Sequence, residues 1–110
     1  MVGLCEGLLY AQKAGLDHPQ MISLLSKGAA GSFSLEKLGP RMLAGDFEPG
    51  FYVEHFVKDL GIVLDESARM NLSVPGTATA FQLYKLMMAQ DKGRMGTQGL
   101  LTALEEMNRC

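Results

Sequence analysis

Apolar residues recur at helical spacing along the whole chain, and no stretch alternates apolar with polar for long enough to read as a strand. Leu4, Leu8, Ala11 and Gly15 trace a first stripe, with Gly15 as its C-terminal stop. Met1 and Val2 are already in phase with that stripe. No Ser, Thr, Asp or Asn precedes them to cap the first N–H groups, so further sequence is expected upstream. Asp17 predicts the N-cap of a second helix with Pro19 in its first turn, a buried face of Met21, Ile22 and Leu25, and Gly28 as its end. Gly28-Ala29-Ala30-Gly31-Ser32 is too glycine-rich for a helix and reads as a tight connection. Ser32 or Ser34 caps a third helix through Leu38, which Gly39-Pro40 bends or restarts, with Leu43 its last core residue before Gly45.

Asp46-Phe47-Glu48-Pro49-Gly50-Phe51 forms a turn carrying two aromatics, and the longest helix follows. Its inward stripe is Val53, Phe56, Val57, Leu60, Leu64 and Ser67, while Glu54, Lys58, Asp65, Glu66 and Arg69 face elsewhere. Pro75 opens a fifth helix with Ala78, Phe81, Leu83, Tyr84 and Met88 as core candidates and Gly93 as its end. Thr97 caps a last helix whose inward side is Leu100, Leu101, Leu104 and Met107. Without repeats, charge blocks or long linkers, the pattern predicts an all-α fold: one compact multi-helix domain, residues 1–110, with one long central helix.

Composition narrows what such a domain does. A net charge of −2 offers no footprint for nucleic acid or an anionic membrane, and no apolar run approaches the roughly 20 residues of a membrane span. Cys5 and Cys110 stand at opposite ends and read as two reduced thiols; His18 and His55 share no ligand spacing with them, so no metal site is expected. The eight methionines, mostly in helical phase, read as adaptable core filler.

The sequence carries no recognisable self-contained active site. With no strand there is no place for a strand-to-helix Gly-x-Gly-x-x-Gly loop, and no phosphate loop or Ser-His-Asp set is suggested. One constellation stands out. Lys58-Asp59-Leu60 lies two helical turns after Phe51, so Phe51 and Lys58 could project to the same side, away from the Phe56–Leu60 stripe, with His55 one turn from each of Phe51 and Asp59. A cation beside an aromatic at a helix start could hold the ring and phosphate or ribose of a cofactor. The plainer reading is that Glu54, four residues before Lys58, forms an ordinary solvated pair with it.

Gly28-Ala29-Ala30-Gly31-Ser32, then Gly45 to Phe51, then Lys58-Asp59-Leu60 and Pro75, in this order and spacing, resemble the C-terminal helical domain of 3-hydroxyisobutyrate dehydrogenases over residues 1–108 or so. Close relatives are the wider β-hydroxyacid dehydrogenases, whose fold is that of the helical C-terminal domain of 6-phosphogluconate dehydrogenase. The resemblance implies a two-domain enzyme: an N-terminal Rossmann domain binding NAD or NADP, followed by this helical domain, which closes the cleft. The family's general acid/base lysine would lie before Met1, so no catalytic residue is expected within this chain, and the chain by itself is expected to be inactive. Among the late residues, Lys58 matches the cofactor-binding lysine of the Lys-Asp-Leu motif. Phe51 matches a position beside the cofactor, and Asp59 one on the substrate side. Many relatives have an acidic residue near the start of the last helix; here Thr97-Gln98 stand there, which favours the hydroxyisobutyrate branch.

The same resemblance implies a small 3-hydroxyacid substrate, most directly 3-hydroxyisobutyrate oxidised to methylmalonate semialdehyde in valine degradation. It also implies a homo-oligomer, and a mitochondrial home in a eukaryote or a cytoplasmic one otherwise. From a different class, the alternative is a non-catalytic helical interaction or dimerisation module that kept the fold without the chemistry.

Overall fold

The structure, a computed structural model, describes residues 1–109. Six α-helices follow one another among them: α1 Val2–Lys13, α2 His18–Ser26, α3 Gly39–Leu43, α4 Val53–Arg69, α5 Pro75–Ala89 and α6 Leu100–Met107. A π-helical turn, Ser34–Leu38, leads into α3, and a 3-10 turn, Thr97–Gly99, leads into α6. No strand occurs among the described residues; Tyr52 and Gly96 make an isolated antiparallel bridge. The all-α reading therefore holds, with α4 the longest helix at 17 residues.

Local chemistry accounts for most boundaries. Asp17 caps α2 by accepting the Gln20 N–H at 2.9 Å, with Pro19 in the first turn where its missing N–H costs nothing. Ser32, not Ser34, caps the third segment, its Oγ accepting the Leu35 N–H at 3.0 Å. Four helices end alike, with a left-handed residue and a six-to-one hydrogen bond. Gly15 (φ 72°) and Gly45 (φ 74°) take that position after α1 and α3, and Leu16 N and Asp46 N donate back to Ala11 O and Arg41 O. Asn71 (φ 55°) and Asp91 (φ 59°) take it after α4 and α5. The expectation that Gly93 ends α5 is thus corrected: Asp91 makes the turn, and Lys92 N donates to Met87 O at 2.9 Å. Gly31 is obligatory for another reason, since a Cβ there would lie 2.6 Å from Ser26 O.

The core lies where α1, α4, α5 and α6 meet, with α2 and α3 extending it. Cys5 and Leu8 of α1, Val53 of α4, Tyr84 and Met87 of α5 and Leu100 of α6 are essentially inaccessible. The α4 stripe faces inward as expected, with Val53, Leu60 and Ser67 buried and Phe56, Val57 and Leu64 half-buried. Other expected core positions do not. Leu25 (41% exposed) and Met107 (59%) sit on the outer sides of their helices. In α5, Met87 takes the buried place assigned to Met88, and Ala78 is exposed. Burial pushes the Cys5 thiol up to about 12, so it behaves as a small apolar side chain; Cys110 lies outside the described residues. No helix among the described residues is long and apolar enough to cross a membrane.

Candidate functional site

The turn before α4 is held by a second loop distant in sequence. Gly96 N donates to Phe47 O at 2.9 Å and Thr97 N to Phe51 O at 3.0 Å. Beyond the Tyr52–Gly96 bridge, Val53 N donates to Met95 O and Glu54 N to Gly93 O, each at 2.9 Å. The first amides of α4, which a helix start leaves without intrahelical partners, are thus capped by backbone carbonyls and not by a side chain. Gly96 must be glycine, because a Cβ there would meet the Gln98 side chain and come within 2.9 Å of Glu48 O.

Side chains complete the clasp. Gln98, 1% exposed, donates from Nε2 to Glu48 O at 2.8 Å and to Asp46 O at 3.4 Å. From the outer side, Arg41 donates through Nη2 to Glu48 O at 2.7 Å and pairs through Nε with Asp46 Oδ2 at 3.0 Å. That guanidinium, with the Glu48 N–H on Oδ1, holds the Asp46 carboxyl below the usual carboxylate range. Tyr84 anchors the other strand of the clasp by donating its hydroxyl to Thr97 O at 2.9 Å. Its ring meets Phe56 edge-on at 5.0 Å, and burial raises its hydroxyl pKa above the ordinary phenolic value.

This clasp presents Phe51, His55, Lys58 and Asp59. Phe51 is 43% exposed, and His55, Lys58 and Asp59 are exposed on the outer side of α4. Two expectations need correction. Phe51 precedes the helix, which starts at Val53, so helical spacing does not set its direction. Its ring packs edge-on against Phe56 at 5.9 Å and stands 6.4 Å from His55, so it leans on the inward stripe and does not point away from it. Nor does Glu54 pair with Lys58. It pairs with Arg94 at 3.1 Å, and the Arg94 guanidinium lies over the Tyr52 ring at 4.6 Å. Among the described residues Lys58 has no carboxylate or hydrogen-bond partner.

Sequence reasoning missed Gln98, Arg94 and Arg41. Gln98 follows a threonine at a helix start, a setting in which a polar residue ordinarily faces solvent or caps. Thr97 was expected to cap the last helix, but its side chain makes no cap hydrogen bond there. Chemically, α4 offers an exposed cation, Lys58, next to an exposed carboxylate, Asp59, and is preceded by the half-exposed Phe51; the first amides of the helix are held by the 93–95 backbone. Among the described residues, no hydrogen bond there pairs a nucleophile with a base. No group of three or more His, Cys, Asp or Glu that could hold a metal occurs among the described residues. Two grooves lie elsewhere: one of about 930 Å³ between α1 and α6, lined by Leu9, Tyr10 and Glu105 among others, and one of about 700 Å³ around Ile22, Pro40 and Leu43. Neither is lined by Phe51, Lys58 or Asp59.

Comparison with known proteins agrees with this architecture. Residues 1–104 match the family described as NAD-binding of NADP-dependent 3-hydroxyisobutyrate dehydrogenase. The chain is 56% identical over 108 residues to the probable 3-hydroxyisobutyrate dehydrogenase-like 1, mitochondrial, of Arabidopsis thaliana, covering 98% of this chain and 32% of that protein. It is 48% identical over 100 residues to the uncharacterized oxidoreductase YkwC of Bacillus subtilis, covering 91% of this chain and 35% of that protein. The crystal structure of a 3-hydroxyisobutyrate dehydrogenase from Salmonella typhimurium shares the fold with a TM-score of 0.85 at 24% identity, over 92% of this chain and 35% of that one. The chain therefore spans about a third of the length of the relatives it matches, and it belongs to the family described as NAD-binding of NADP-dependent 3-hydroxyisobutyrate dehydrogenase.

Proposed function

We propose that this chain forms one wall of the active-site cleft of an NAD(P)-dependent 3-hydroxyacid dehydrogenase, with Lys58 and Phe51 toward the cofactor and Asp59 toward the substrate. The observation that carries the reading is the state of Lys58. It is an exposed cation with no carboxylate partner among the described residues, on a helix start that the clasp fixes, in a chain matched to a cofactor-binding family over residues 1–104. A lysine is a compact charge able to meet a ribose hydroxyl, a phosphate or a substrate carboxylate. The Phe51 ring, half exposed before the same helix and packed against Phe56, would exclude water from the reacting centre. These residues fit one side of a dinucleotide and no more, because nothing here supplies a glycine-rich phosphate loop. When bound, the nicotinamide would supply the hydride chemistry. Lys58 would bind and orient, and the general acid/base lysine and the Rossmann domain would belong to the remaining length of the protein.

The finer assignment is 3-hydroxyisobutyrate as substrate, oxidised in valine degradation, with a mitochondrial location in a eukaryote. It rests on likeness to proteins named for that activity and compartment. A homo-oligomer belongs to the same reading. The test is Lys58→Ala in the full-length dehydrogenase, with steady-state kinetics and a direct cofactor-binding titration. The expected result is a loss of more than about tenfold in kcat/KM, or a comparable rise in KM, which is above roughly 1.4 kcal/mol. The melting temperature should hold, since an exposed lysine without a partner stabilises little. Unchanged kinetics and binding with a lowered melting temperature would assign Lys58 a structural role.

A further inference from the structure

The Phe51 ring is nearly half exposed, so burial alone does not fix its place. Its backbone does: Phe51 O accepts the Thr97 N–H, and the turn behind it is gripped at Phe47 O by Gly96 N and at Glu48 O and Asp46 O by Gln98 Nε2. Three consecutive residues, 96 to 98, thus hold four residues of the turn. Gln98 is the one among them that does so with a buried side chain. A buried amide that must be desolvated adds little net stability, yet once satisfied it admits one arrangement of its partners and disfavours others. The glycine demanded at position 96 leaves room for that amide against the turn.

We propose that Gln98 is a positioning residue: by locking the turn at Asp46 and Glu48 it sets where the Phe51 ring stands at the cofactor face. This rests on the reading of Phe51 as a cofactor-side residue. Gln98 touches neither cofactor nor substrate and acts through the turn, with Arg41 bracing Glu48 O from the opposite side.

The test is a double-mutant cycle in the full-length dehydrogenase, assayed well below its melting temperature. Gln98→Met keeps the volume and removes both donors; it is combined with Phe51→Ala, and kcat, KM for the nicotinamide cofactor and cofactor affinity are measured for all four proteins. Each single variant should lose about tenfold or more in kcat/KM, and the double variant should be within about twofold of Phe51→Ala, because residues acting through one another are not additive. Gln98→Met within about twofold of wild type, with Phe51→Ala impaired, overturns the positioning role; so does a double variant whose losses multiply. Wild-type behaviour of Phe51→Ala overturns the cofactor-side reading itself, a distinguishable failure. If Gln98→Met does not fold, Arg41→Met tests the same turn from its accessible side. A loss of about threefold that vanishes in the Phe51→Ala background supports the proposal, and no loss overturns it.

Discussion

Removing the Tyr84 hydroxyl tests whether the clasp is held as described. Tyr84 is 1% exposed, donates to Thr97 O at 2.9 Å and packs its ring edge-on to Phe56. Tyr84→Phe keeps the ring and deletes one buried hydrogen bond. Thr97 O does not become an orphan, because it still accepts from the Leu100 N–H, so the full penalty for an unsatisfied group is not incurred. The cost should therefore be about 1–1.5 kcal/mol, the usual net value of one hydrogen bond. In a domain of this size that lowers the melting temperature by roughly 5–10 °C.

The same group predicts a pH dependence of known sign. Burial first, then the neighbouring Cys5, raises the Tyr84 pKa above its ordinary value of 10.0. The folded state holds the proton after the unfolded chain has lost it, so stability intact below pH 10.0 is lost as pH rises from there through the folded value. The slope approaches about 1.4 kcal/mol per pH unit, so the advantage of wild type over Tyr84→Phe should vanish near about pH 11. Cys5 contributes a loss of the same sign starting near its ordinary 9.0, but it is present in both proteins and largely cancels in the difference. Urea unfolding followed by far-ultraviolet circular dichroism at a series of pH values measures that difference directly. A Tyr84→Phe chain as stable as wild type at neutral pH, or a difference that stays constant into the alkaline range, would refute the reasoning.

Asp46, held low by Arg41, contributes in the opposite pH range: its stabilisation is present above the ordinary 3.8 and lost as pH falls through the depressed folded value. The melting-temperature gap between wild type and Asp46→Asn should therefore shrink toward zero in strong acid; a gap independent of pH would assign the difference to geometry alone. The chain by itself, incubated with 3-hydroxyisobutyrate and NAD or NADP, should show no turnover when nicotinamide absorbance is followed. Turnover that depends on the chain would contradict the proposed reading, in which the glycine-rich loop and the general acid/base lie elsewhere in the protein.

How far the sequence reaches depends on how each helix is patterned. The face of α4 was legible because its apolar residues fall on one side and its charged ones on the other, so the Val53–Ser67 stripe has one possible phase. In α5 apolar residues run nearly all round, and spacing cannot choose between Met87 and Met88; packing against α4 and α6 chooses. Gly15 and Gly45 announced their turns by residue type, whereas Asn71 and Asp91 adopt the same backbone without glycine. The candidate site divides in the same way. Lys58 stands exposed as the helical pattern required. Gln98 and the Glu54–Arg94 pair depend on segments some 40 to 52 residues apart, which no local spacing can reveal.

The backbone capping of α4 ties the order of folding events to the chain's length. Val53 and Glu54 receive their amide partners from Met95 and Gly93, so these first amides of α4 gain their protein caps only once the chain has turned back after α5. During synthesis α4 would emerge with a frayed start and acquire its final geometry only after the 93–96 segment has left the ribosome. In the finished protein the Val53 and Glu54 amides should exchange with solvent through opening of the whole α4–α5 hairpin and not through local end-fraying, so their protection reads out a cooperative unit. If they do so, the helix carrying Lys58 should seat or release together with the 93–96 segment, with little of the gradual looseness common at helix ends.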